Sequence, residues 1–229
     1  MTHPAAFMNV EKARFNMVEQ QVRPAGVLNA EVVELFSVVK RECFVPAAYT
    51  GLAFADTEVP LGHGARMFLP SIEAQSLQAV AMRRHERVLE IGTGSGFMAA
   101  LLGAHAEHVW SIEIVPELVA QAKQNLRNAG VTNVTVEQGN GLAGLAQQAP
   151  FDVIMISGAV DAVPQLLLDQ LKVGGRLFVI TGDAPAMQAK VLTCVAGANG
   201  MGKSVRSETI FETDADALVP LEPEAHFVF

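Results

Sequence analysis

The stretch Arg87-Val-Leu-Glu-Ile-Gly-Thr-Gly-Ser-Gly96 begins as a short apolar run and breaks into three alternating glycines. A run of that length ending in glycine reads as a buried parallel strand followed by a tight bend free of side chains. Downstream, Phe97–Gly103 reads as a helix and His108–Glu113 as the next strand. Pro116 suits a first helical turn, so a helix should run from there to Asn128 and stop at Gly130. Residues 133–138, 151–156 and 175–181 read as further strands, with a helix over 163–171. Regular strand–helix alternation predicts an α/β fold, a mostly parallel Rossmann-like sheet with helices on both faces. Residues 188–195 and 204–212, joined by the glycine-rich stretch 196–203, read as a C-terminal antiparallel hairpin closing the sheet edge.

Upstream the pattern is helical. Asn9 can cap a helix to about residue 21, ended by Pro24, and Asn29 can cap a second. Val32, Val33, Leu35, Phe36 and Val39 give that second helix an apolar face. Pro46, Gly51, Pro60, Gly62, Gly64 and Pro70 punctuate an irregular stretch over 41–70, after which Ser71 should cap a third helix through about residue 83. The expected organisation is one compact unit: an N-terminal helical cap and substrate-side loop over 1–84, and a ligand-binding α/β domain over 85–229.

The chain has 229 residues, half of them hydrophobic and 17% charged, which supplies a sizeable core and argues against disorder. A net charge of −8 gives no electrostatic reason to grip a phosphate backbone, so no nucleic-acid partner is expected; the Arg83-Arg84 pair reads as a solvated helix end. No apolar run approaches a membrane span, and the first ten residues lack the pattern of a secretory signal. Cys43 and Cys194 give neither a metal spacing nor a disulfide framework, so no metal is expected and a reducing cytoplasm fits.

Chemistry concentrates at the strand ends. Glycines after the first parallel strand let backbone approach a ligand in the crevice where open α/β sheets bind. The spacing over Gly92, Gly94 and Gly96 is Gly-x-Gly-x-Gly. The dinucleotide fingerprint fails, because Phe97 stands where its third glycine belongs. Glu90 precedes the loop, which disfavours a pyrophosphate and favours a cationic donor such as S-adenosylmethionine. Glu113 ends the second strand, where a carboxylate offers two acceptor oxygens to vicinal ribose hydroxyls. Asn140, between Gly139 and Gly141, can meet an adenine edge. Alone, the loop reads as a tight turn, Glu113 as a solvated strand end and Asn140 as a turn residue. Together, at successive strand ends, Glu90, Gly92, Thr93, Gly94, Gly96, Glu113, Ile114, Asn140 and Gly141 form the expected cofactor set.

With these residues in place, the chain resembles the protein-L-isoaspartate O-methyltransferase family. Arg14, Gln20-Gln21, Arg41-Glu-Cys-Phe-Val-Pro46, Asp56 and Pro60-Leu-Gly62 are similar to its N-terminal signature. Val88 to Gly96 is similar to its cofactor loop, and Phe151-Asp152 and Gln170-Leu-Lys-Val-Gly-Gly-Arg176 to its later strands and turns. The resemblance implies a class I methyltransferase fold with a seven-stranded sheet and an N-terminal cap. It also implies methylation of the carboxylate of isoaspartyl residues in damaged proteins. Two departures stand out. Where the family reads Thr-x-Ser-x-Pro near the transferred methyl, this chain reads Arg66-Met-Phe-Leu-Pro70, so Arg66 and Phe68 replace both hydroxyls. The family's Asp-Gly is Asn140-Gly141 here.

Methyl transfer to a carboxylate needs no general base, because the acceptor is already ionised near neutrality, with an unperturbed pKa of about 4. Arg66 is a candidate to bind the acceptor carboxylate through its planar fork, or else a surface arginine. His63, in the same loop, could act as a base if the acceptor were a neutral hydroxyl or amine, or else is a loop histidine without a chemical role. Three functions remain open at this level: isoaspartyl methylation, methylation of another, small-molecule acceptor, and cofactor binding without turnover.

Overall fold

The computed structural model describes residues 9–197 and 202–218. Its N-terminal part holds helices α1 (Val10–Met17), α2 (Ala30–Val38) and α3 (Pro70–Val80), with a small hairpin of β1 (Val59–Gly62) and β2 (Ala65–Met67) ahead of α3. There follow β3 (Arg87–Ile91), α4 (Phe97–Gly103), β4 (His108–Glu113), α5 (Pro116–Asn128), β5 (Val134–Gln138), β6 (Phe151–Ala159), α6 (Gln165–Asp169), β7 (Leu171–Thr181), β8 (Met187–Ala196) and β9 (Lys203–Thr213). The last seven strands form one sheet in the order β5-β4-β3-β6-β7-β8-β9. The five from β5 to β7 pair in parallel, and β7–β8 and β8–β9 are antiparallel. The middle of the connection between β8 and β9, residues 198–201, lies outside the described residues, as do residues 1–8.

The sequence explains this order. β3 and β6 are buried along most of their length, as strands covered on both faces must be. From β3 the chain steps outward through β4 to β5, then crosses back to place β6 on the other side of β3. That reversal opens a crevice at the strand ends. The exposed outer strand β9 carries Lys203, Arg206, Glu208 and Glu212, charges that discourage pairing with another chain. One buried cluster runs from Met17 and Phe36 in the N-terminal helices through Leu77 to Val88, Phe97 and Phe178 around the sheet, and a second gathers Leu89, Ile112, Phe151, Ile154 and Leu177.

Arg41 ties the N-terminal part together and touches the sheet part through one ring. Fully buried, it donates to Glu73 Oε2 at 3.2 Å, the Ala53 carbonyl at 3.0 Å and the Phe68 carbonyl at 2.6 Å. Its guanidinium also lies 5.6 Å from the centroid of the Phe97 ring. Burial pushes the Glu73 carboxyl up to about 7, against the pull of Arg41. Arg14, bridging Glu11 and Glu42, ties α1 to the same stretch.

Several boundaries differ from expectation. α1 ends at Met17 and its path continues as one wider turn over Val18–Val22. Ser71 does not cap α3: Pro70 takes the first helical position, where its fixed φ fits and its missing N–H costs nothing, and Leu69 precedes it. α3 stops at Val80, not near residue 83, because Ala81 turns left-handed at φ +44° and Arg176 donates to the Val80 and Ala81 carbonyls. Arg83 and Arg84 lie exposed beyond it. α6 is shorter than 163–171, since the Gln170 carbonyl accepts from Phe151 N at 2.8 Å and Leu171 already belongs to β7. The stretch over 41–70 is less irregular than its prolines and glycines suggest, for it contains β1 and β2. Asn9 and Asn29 both cap as expected, accepting from Lys12 N and from Glu31 N and Val32 N.

Candidate active site

An open cleft of about 870 Å³, solvent at its mouth included, lies over the ends of β3, β4, β5 and β6. Its floor is formed by Ile91 at the end of β3, by Gly92 and Gly94 after it and by Ser157 and Gly158 in β6. One side carries Ile112, Glu113 and Ile114, the other Gly139, Asn140, Gly141 and Leu142. The β1–β2 hairpin overhangs it with His63, Arg66 and, just beyond, Phe68, and the segment Asp216 to Leu218 closes the far wall.

Glu113 is held from both sides. Its Oε2 accepts from Gly94 N at 2.9 Å and its Oε1 from Val115 N at 3.1 Å. Each oxygen keeps a lone pair for a further donor, so the carboxylate presents the paired acceptors that vicinal hydroxyls need. Asn140 caps the turn over Gly141–Ala143, accepting from Leu142 N at 3.0 Å, which leaves its amide N–H groups to donate. Gly141 is required by contact: a Cβ there would run into the Ile91 side chain, which forms the adjoining floor.

Three members of the expected cofactor set lie behind the wall. Gly96, at φ +85°, caps α4, and a Cβ on it would face Ala122 of α5. Thr93 is buried and its hydroxyl meets Ser111 Oγ at 2.6 Å. Glu90 is wholly buried, accepting from Ser111 and Ser157. Burial pushes its carboxyl up to about 8, despite those two hydrogen bonds, and the Glu113 charge adds to the rise. Wholly buried and absent from the cleft lining, Glu90 does not supply the anionic face read from the sequence. That face exists, but Glu58, Glu113 and Asp216 form it. Strand alternation carried the signal: Ile91 lines the cleft, so its neighbour Glu90 points the other way.

The residues read near the acceptor come together on the hairpin. Arg66 is half-exposed, with Nη1 3.0 Å from Glu58 Oε2 and Nε 3.4 Å from Asp216 Oδ2. The Glu58 hydrogen bond and the two negative charges raise its already high pKa. His63 sits at the hairpin turn at φ +53° and, like Phe68, lines the cleft. The sequence reading missed Glu58, Ser157, Gly158 and Asp216 to Leu218. Ser157 and Gly158 share the strand-end position that marked the other sites; Glu58 and the C-terminal segment carry no local motif.

The wall suits a nucleoside bearing positive charge. Aliphatic side chains on both sides leave a slot for a flat base, Glu113 offers paired acceptors, and the acidic side chains favour a cation. Among the described lining residues Arg66 is the one permanent cation, and it is already paired with two carboxylates, so no pyrophosphate cradle is present.

Known proteins agree. The family model of protein-L-isoaspartate(D-aspartate) O-methyltransferase matches residues 13–209. The chain belongs to this family. A protein-L-isoaspartate O-methyltransferase of Gloeobacter violaceus is 43% identical over 166 residues, 72% of this chain and 81% of its own. A second, from Syntrophobacter fumaroxidans, is 39% identical over 194 residues, 85% of this chain and 90% of its own. Among solved structures, a protein-L-isoaspartate O-methyltransferase superposes with a TM-score of 0.73 at 24% identity, covering 92% of this chain and 66% of that one. A Plasmodium falciparum structure described as a putative enzyme of this kind, in complex with S-adenosyl-L-homocysteine, gives 0.75 at 18% identity, covering 92% and 98%. The chain shares with both the class I methyltransferase fold, built here on a seven-stranded sheet with C-terminal antiparallel strands. Among the described residues no helix is long and apolar enough to cross a membrane.

Proposed function

We propose that the protein methylates the free carboxylate of isoaspartyl residues in damaged proteins, using S-adenosylmethionine. The observation that carries this reading is one continuous cleft running from Glu113 and Asn140 at the strand ends to Arg66 on the hairpin, in a chain of this family. When bound, the cofactor supplies a methyl group on a cationic sulfur. Glu113 would accept from the ribose hydroxyls, Asn140 would donate to the base edge, and Ile114 and Leu142 would offer the base an apolar wall. Arg66 takes the acceptor carboxylate on its fork, which fixes the plane of the group and leaves an outward lone pair of one oxygen to attack. Phe68 excludes water from that oxygen, removing the hydration that would blunt its nucleophilicity. The carboxylate arrives ionised, so no side chain needs to remove a proton. His63 therefore serves as part of the hairpin turn and the cleft wall.

The replacement of both family hydroxyls by Arg66 and Phe68 is the observation behind a second reading, in which the same cleft methylates another, small-molecule acceptor. Radiolabelled cofactor, an isoaspartyl peptide and its normal aspartyl twin distinguish the two. Base-labile label on the isoaspartyl peptide alone is expected. Cofactor binding with no label on either peptide would contradict the isoaspartyl reading and point to another acceptor or to binding without turnover.

A further inference from the structure

Arg66 does not wait with an open fork. Its Nη1 is taken by Glu58, which lies just ahead of β1, while its Nε edge faces Asp216, on the segment that follows β9. The two contacts differ in kind. The Glu58 contact, at 3.0 Å, is a normal hydrogen bond; the Asp216 contact, at 3.4 Å, lies beyond the usual range of one. Asp216 is nonetheless held in place by its backbone. Its carbonyl accepts from Ala159 N at 2.9 Å and Leu218 N donates to the Ala159 carbonyl at 2.8 Å, so the segment is laid on the end of β6. The Leu218 side chain anchors it further, standing where a Cβ on Gly158 would meet it at 2.6 Å.

Position gives the pair its meaning. A second open groove, of about 810 Å³, lies on the other side, lined by Thr57, Leu69, Ile72 and Thr213. Glu58, Arg66 and Asp216 border both spaces, so the Arg66–Asp216 contact stands as the partition between them. The Nε edge of a guanidinium binds a carboxylate side-on, and on Arg66 that edge is the one Asp216 faces.

We infer that Asp216 is a specificity-determining residue: its carboxylate occupies, on the Nε edge of Arg66, the place that the acceptor carboxylate takes. Acceptor and Asp216 exclude one another there, while Glu58 keeps the guanidinium oriented throughout. A half-exposed pair with one long contact is weak, so exchange is easy and an acceptor presenting a well-placed carboxylate displaces Asp216. An acceptor without one leaves the partition shut. The inference rests on the reading of Arg66 given above.

The test measures acceptor KM in methyl transfer, and affinity of the isoaspartyl peptide for the enzyme loaded with S-adenosyl-L-homocysteine, across variants. Asp216→Asn should lower the KM and tighten peptide binding roughly two- to fivefold, the span set by a weak exposed pair. Changes in kcat should be smaller. Asp216→Glu, which keeps the charge, should stay near wild type. In an Arg66→Ala background Asp216→Asn should change nothing. If Asp216→Asn does not fold, Asp216→Ser reads the same quantities. Unchanged or weakened peptide affinity in a folded Asp216→Asn protein, or tightening that persists without Arg66, would overturn the inference. Turnover with affinity unmoved sinks the competition and leaves the function standing; tightened binding with no turnover does the reverse.

Discussion

Glu90 and Glu113 sit at the ends of adjacent parallel strands and differ in every chemical respect that matters. Glu113 reaches the cleft with both oxygens anchored by backbone N–H groups. Replacing it with Gln puts an amide N–H against one of those donors, so Glu113→Gln should weaken S-adenosyl-L-homocysteine binding roughly 10- to 100-fold by calorimetry. An unchanged affinity would remove Glu113 from the cofactor site. Glu90 is legible to a different experiment. Its pKa lies near 8 in the folded protein against 4.5 in the unfolded chain. Between those values the native state holds a proton that the unfolded state has released, so stability falls as pH rises through the window. Glu90→Gln removes that dependence while keeping a side chain whose oxygen accepts from one of the two serines and whose amide donates to the other. Its stability relative to wild type should therefore improve by more than about 1 kcal/mol from pH 5 to pH 8, read from denaturant unfolding. A constant difference would show that Glu90 is ionised throughout.

At the scale of elements, the strands after residue 86 were legible because buried parallel strands announce themselves as apolar runs and their ends as glycine and acid. The β1–β2 hairpin was not. Its strands hold four and three residues, too few for a period, and Pro60, Gly62 and Gly64 read as loop punctuation. Only pairing across the turn, Val59 with Met67 and Pro60 with Arg66, makes it a hairpin, and that pairing puts Arg66 over the cleft. The end of α3 was equally hidden, since it depends on Arg176, which lies 95 residues beyond Ala81 in sequence. Arg176 also meets both oxygens of Glu86, at 2.6 and 2.9 Å. Burial pushes the Glu86 carboxyl up, but Arg176 and the Arg83 backbone N–H outweigh it and hold the carboxyl below its usual value. Arg176→Ala should cost about 2–3 kcal/mol near neutral pH and lower the Tm by roughly 5–10 °C. The penalty should shrink as pH falls below 4.5, where the unfolded chain's Glu86 already gains its proton and the native advantage fades. A penalty that does not change with pH would mean that the lost carbonyl contacts at Val80 and Ala81, not the ion pair, carry it. Gly141→Ala tests the opposite wall. Its Cβ must push Ile91 or shift the turn that carries Asn140, so cofactor affinity should drop more than about tenfold with a smaller loss of stability.

The molecule as a whole is a sheet whose strand order reverses beside β3, and the reversal sets where a ligand sits. Its N-terminal part, held to the sheet where Arg176 of β7 donates to the Val80 and Ala81 carbonyls at the end of α3, brings the hairpin over that place, and the C-terminal segment closes the far side. The cofactor half of the site was readable because each wall is a strand end. The acceptor half was not, because Glu58, Arg66 and Asp216 meet only through folding, from segments about 150 residues apart. Calorimetry of the purified protein with S-adenosyl-L-homocysteine and, separately, with NAD is the most direct trial of this account. Saturable binding of the first at one site per chain, and no heat with the second, is predicted. Heat with NAD and none with the homocysteine nucleoside would contradict it.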